Sequence, residues 1–192
     1  PDVTDENMLY RLPPIDNRTQ RIILPEDRIC KETQRTRNQT MGSPMLSART
    51  NDTILLLYLE NGHVTRLDDD RAHNASGKIH IYGTLSPSPN DTLQDVQRHS
   101  ELHGHRGRLS TANFDDGHCY EDNGTPIALQ RKALPQRPHL EDGEGSNLWC
   151  TCRFRLPALV SGSIYTIYWV WDFSGLDFIE IYTTCLDVHI IA

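Results

Sequence analysis

The sequence predicts an all-β domain, an antiparallel β-sandwich with long loops and little helix. Three observations carry that expectation. The run Ile164 to Ile191 reads as two strands joined at Ser174-Gly175, the first of them apolar on both faces. Upstream, short apolar or alternating runs are separated by clusters of turn residues. Only Asp91 to Glu101 shows helical character, and its apolar face is thin. Apolar strands of this kind are stable only when a second layer covers them. At 192 residues the chain is long enough for one such domain, spanning 1–192.

Each element has its own signal. Residues 1 to 27, with Pro13, Pro14 and Pro25, read as an extended wrapping segment, with Arg21 to Leu24 as a short edge strand. Asn51-Asp52 marks a turn before the apolar strand Thr53 to Leu59, which ends at Glu60-Asn61-Gly62-His63. Lys78 to Tyr82 alternates, so Ile79 and Ile81 face a core, and Ser86-Pro-Ser-Pro-Asn90 ends that strand. Asn90 or Asp91 is the expected N-cap of the helix. His103 to Arg108 reads as a hinge leading into Leu109 to Phe114, and Asp115-Asp116-Gly117 as a turn. Residues 121 to 146 read as a long loop. Leu148 to Leu156 places Leu148, Cys150, Cys152 and Phe154 on one side of a strand. In the last pair, Tyr165, Ile167, Trp169, Trp171 and Phe173 share one face and Thr166, Tyr168, Val170 and Asp172 the other.

A net charge of −7 argues against a nucleic-acid partner, because phosphate binding needs clustered Lys and Arg. No apolar stretch is long enough to span a bilayer as a helix. Six Asn-X-Ser/Thr triplets, at Asn17, Asn38, Asn51, Asn74, Asn90 and Asn123, point to a secreted, glycosylated chain. The chain opens Pro1-Asp-Val-Thr, so a secreted origin implies a leader upstream. Five cysteines suggest two disulfides and one odd thiol. The preferred pairs are Cys30–Cys185, pinning the N-terminal wrap to the last strand, and Cys119–Cys150. Cys152 is then buried and free, or bonded to another segment or molecule.

Metal binding is the strongest chemistry on offer. His63 follows an apolar strand directly after Asn61-Gly62, which sets its ring at the rim of a rigid sheet. A rim histidine bonded to a neighbouring carbonyl is the plainer alternative. Glu180 and Tyr182, two apart on a strand, share a face; buried there, they need a metal or a hydrogen-bonded network. His103 and His105 would share a face on an extended segment, although no further ligand flanks them. Asp115 and Asp116 suit a turn better than a glycosidase pair, and Cys150-Thr-Cys152 is too tight for the usual zinc spacing. No nucleophile elbow, zinc-protease helix motif or phosphate loop is present.

The stretches Tyr58 to Thr65, Asn113 to Tyr120, Leu148 to Cys150, Tyr168 to Asp172 and Glu180 to Cys185 resemble a group of fungal secreted proteins. That group in turn looks similar to lytic polysaccharide monooxygenases. The resemblance implies an immunoglobulin-like sandwich holding one copper ion between an N-terminal His, a second His and an axial Tyr or Phe. By that pattern His63 matches the second His, Tyr182 the axial position, Glu180 the carboxylate behind it, and Cys185 a disulfide position. Residue 1 here is Pro, so the brace amine and first imidazole would come from an upstream segment. The expected activity is copper-dependent oxidative action on, or binding to, a polysaccharide or cell-wall glycan. The alternative is a non-catalytic extracellular glycoprotein on the same scaffold, structural, adhesive or self-assembling into filaments. A plain carbohydrate-binding module would need Trp149, Trp169 and Trp171 exposed together, whereas their strands read as central.

Overall fold

A computed structural model describes residues 23–37, 44–65, 76–134, 147–173 and 180–192. The chain is mostly β. Its strands are β1 (Leu46–Arg49), β2 (Thr53–Tyr58), β3 (Lys78–Thr84), β4 (Gly107–Asn113), β5 (Cys150–Arg155), β6 (Ile164–Asp172) and β7 (Ile181–Ile191). Two short helices, α1 (Leu93–Gln97) and α2 (Pro126–Lys132), lie between them. One sheet has the order β1-β7-β6-β3-β4, and β2 pairs with β5 in a second, two-stranded sheet.

The main core lies between these sheets. Tyr165, Ile167, Trp169 and Trp171 of β6, with Phe173 just past its end, meet Ile54 of β2 and Cys150, Cys152 and Phe154 of β5, together with Ile79 and Ile81 of β3. Alternation dictates this, since every second side chain of a strand faces the same way. The opposite face of β6 is buried as well. Tyr168 and Val170 pack with Ile23, Ile29, Cys30, Leu93 and Val96, contributed by the early segment and α1. That cover is tied to the strands below it: Cys30 is disulfide-bonded to Cys185, and the Thr183 hydroxyl donates to the Ile29 carbonyl at 2.6 Å. Both faces of β6 are therefore covered, as its composition predicts.

The structure corrects several expectations. The large sheet is mixed rather than antiparallel, because β1 runs parallel to β7. Only four residues long, with a Leu-Ser-Ala-Arg sequence, β1 lacks the alternation that marks a strand. β2 is half-exposed, with Leu55 and Leu57 on the outer face of the two-stranded sheet. The N-cap of α1 is Thr92, not Asn90 or Asp91, and its partner in a capping box is Asp95. Asp91 is committed elsewhere, accepting from the Tyr168 hydroxyl at 2.6 Å and from the Ser88 amide at 2.9 Å. Residues 121 to 146 contain α2, started by Thr125 as N-cap with Pro126 in the first turn. Leu24 begins a turn closed by the Asp27 amide donating to its carbonyl, not an edge strand, while Arg21 and Ile22 lie outside the described residues. The Ser174-Gly175 turn and the start of the last strand at Phe178 also lie outside them.

Candidate metal-binding site

The site begins with a turn. At the end of β2 the His63 amide donates to the Glu60 carbonyl at 2.9 Å, closing a four-residue turn. Asn61 (φ 47°) and Gly62 (φ 79°) both take left-handed backbone, the type I′ geometry that the Asn-Gly pair favours. The turn delivers the His63 ring onto the aromatic end of the large sheet. Its centroid lies 4.9 Å from Trp171 and 4.9 Å from Phe173, edge to face in both cases, and 6.2 Å from Tyr182.

Those aromatic rings are held by strand register. Trp171 of β6 and Tyr182 of β7 are cross-strand partners, and their rings stack at 4.8 Å. Phe114 stacks on Trp171 at 3.9 Å, and the Trp171 indole N–H donates to the Ser76 carbonyl at 2.7 Å. Edge-to-face and offset-stacked pairs are the arrangements that ring quadrupoles favour. Behind Tyr182 stands Glu180. The Tyr182 hydroxyl donates to Glu180 Oε2 at 2.8 Å, and the Glu180 carbonyl accepts from the Phe173 amide at 2.8 Å. His63, remote in sequence from Tyr182 and Glu180, thus joins them in one group at one end of the core.

The other predicted residues fall elsewhere. His103 and His105 are exposed on a tight turn around Gly104 (φ 61°), closed by reciprocal backbone bonds between His103 and Arg106. The turn replaces the extended segment on which their rings would have shared a face. Asp115, Asp116 and Cys119 cluster, but each has a structural partner. Asp115 takes a two-pronged ion pair from Arg131, Asp116 accepts from the His118, Cys119 and Thr151 amides, and Cys119 is bonded to Cys150. Both preferred disulfides are present, and Cys152 is a buried free thiol. Burial pushes that thiol up to about 12. Trp169 and Trp171 are core, so the three tryptophans form no exposed stacking face.

Among the sequon residues, Asn51 and Asn90 are exposed in turns. Asn123 is half-buried and turned toward Thr65: its side-chain N–H donates to the Thr65 hydroxyl at 3.1 Å, and its side-chain carbonyl accepts from the Thr125 amide at 3.1 Å. Asn17, Asn38 and Asn74 lie outside the described residues.

Three contributors to the site escaped the sequence reading. Trp171 and Phe173 are core residues by pattern, yet they also form the wall against which His63 rests. Glu60 is a buried carboxylate, 2 % exposed, and its only signal was an acidic residue placed directly before Asn-Gly.

All of residues 1–192 match a family described as a domain of unknown function, DUF7492. The chain belongs to DUF7492. No curated protein and no solved structure matches it. In this DUF7492 chain the two disulfides and the β-rich fold are established, and no helix of the described residues is long and apolar enough to cross a membrane.

Proposed function

We propose that the chain is a secreted glycoprotein in which His63, with Tyr182 and Glu180 beside it, would hold copper for oxidative action on, or binding to, polysaccharide. The observation that carries this reading is the convergence of His63 with the bonded Tyr182–Glu180 pair. The donor chemistry fits the metal, since an imidazole nitrogen suits copper. Copper bound there supplies the redox chemistry. His63 would hold the ion through one imidazole nitrogen, Tyr182 would stand beside it, and Glu180 orients the phenol by accepting its hydrogen bond. The reading further requires a brace amine and a second imidazole, which the mature N-terminus of the natural chain would supply.

Copper titration of the natural secreted chain, with its mature N-terminus read by peptide mass spectrometry, tests the reading. Sub-micromolar binding that His63→Ala abolishes is the expected result. Binding no tighter than micromolar in the natural chain rejects it.

A non-catalytic, self-associating glycoprotein is the second reading. Leu55 and Leu57, 41 % and 39 % exposed, lie side by side on the outer face of the two-stranded sheet. Exposed apolar surface of this kind favours association. Strictly monomeric behaviour in size-exclusion chromatography and electron microscopy counts against it.

A further inference from the structure

We infer that Glu60 is the positioning residue for His63, holding the imidazole-bearing turn from both sides; as a role at the metal, this rests on the copper reading above. Glu60 bonds the chain on either side of His63. Its carbonyl accepts the His63 amide at 2.9 Å, and its carboxylate Oε2 accepts the next amide, Val64, at 2.7 Å. The Thr65 amide also points at Oε2, at 3.4 Å, and the Thr65 hydroxyl donates to Oε1. The Glu121 amide reaches the same Oε1 at 3.2 Å. Four donors therefore converge on one buried carboxylate.

A carboxylate buried without such donors would be costly, so the site keeps it only by surrounding it with hydrogen bonds. Three of the four donors come from Val64 and Thr65, the two residues that follow His63. The left-handed Asn61-Gly62 backbone brings the chain back over Glu60, and the carboxylate then fixes its exit path. Thr65 extends the bracing outward. Its hydroxyl accepts from the Asn123 side chain at 3.1 Å, and its carbonyl accepts from Thr125, the cap of α2, at 2.8 Å. The turn of Asn123 toward Thr65 is accounted for by the same bracing. Groups that orient a metal ligand in this way act on the metal without touching it.

Glu60→Gln tests the assignment, because the amide keeps the size and turns an N–H₂ toward donors that need acceptors. In the metal-free chain, the His63 ring protons carry ring-current shifts from Trp171 and Phe173. We expect Glu60→Gln to move those resonances while leaving reporters on the opposite face of the large sheet, such as Tyr82 and Tyr168, in place. In the copper-loaded chain the expected losses are about tenfold in affinity and a changed Cu(II) EPR spectrum. Thr65→Val, which removes one hydroxyl arm, should act in the same direction and more weakly. It serves as the deciding variant if Glu60→Gln does not fold. Unchanged His63 resonances in the folded variant overturn the inference. Moved resonances in a chain that binds no copper uphold the positioning and reject the copper reading instead.

Discussion

The Tyr182 hydroxyl donates to the Glu180 carboxylate at 2.8 Å while the Tyr182 ring lies stacked on Trp171 at 4.8 Å. Polar tip and apolar body therefore have separate partners, and substitution separates them. Tyr182→Phe keeps the stack and loses the hydrogen bond, so it should cost about 1 kcal/mol. Tyr182→Ala also empties the space beside Trp171 and His63 and should cost about 3–5 kcal/mol. Urea unfolding measures both. A Phe variant as unstable as the Ala variant would show that the hydroxyl, not the ring, dominates.

The Arg131–Asp115 pair is buried and two-pronged, at 2.6 and 2.7 Å, and the same guanidinium donates to the Cys119 carbonyl at 2.7 Å. Removing one partner leaves a desolvated charge behind. Asp115→Asn and Arg131→Met should each destabilise by about 3–5 kcal/mol. Losses below about 1 kcal/mol in chemical denaturation would mean that water reaches the pair.

Burial holds the Cys152 thiol far above the usual range, at about 12. The thiolate is the reactive form, so the native chain should resist thiol reagents at pH 8 and react with one equivalent per chain only after unfolding under non-reducing conditions. Fast labelling of the folded chain would contradict the buried position.

His80 is held below its ordinary 6.5, first by burial and then by the nearby Arg108 guanidinium. The unfolded chain therefore takes up this proton before the folded one as pH falls. The contribution to stability is fully present above 6.5 and is lost as pH drops from there toward the lower folded value. His80→Asn should flatten that part of a stability-versus-pH curve. An unchanged slope would assign the pH dependence to other groups.

The strands with strict alternation were readable. Leu148, Cys150, Cys152 and Phe154 are all buried, as a period of two requires, and so are both faces of β6. Half the candidate site was readable for the same reason, since Glu180 and Tyr182 are two apart on one strand. β1 was not, because its strand state comes from pairing with β7 rather than from its own residues. α2 carried the Thr125-Pro126 start signal inside a stretch rich in loop residues, and its burial of Ala128 and Arg131 depends on tertiary partners. The His103–His105 geometry turned on one left-handed glycine, which composition does not reveal.

The sequence by itself determined the all-β class, the doubly covered strand β6, the Asn-Gly turn before His63 and the shared face of Glu180 and Tyr182. All are local, set by side-chain alternation or by backbone preference within a few residues. Tertiary structure alone decided that His63 rests on Trp171 and Phe173 beside Tyr182, that Glu60 is buried with its donors around it, and that Asn123 turns toward Thr65. Those relationships join segments remote in the chain. They exist because packing the two sheets desolvates the groups caught between them, and a buried carboxylate such as Glu60 is kept only where the fold brings donors to it.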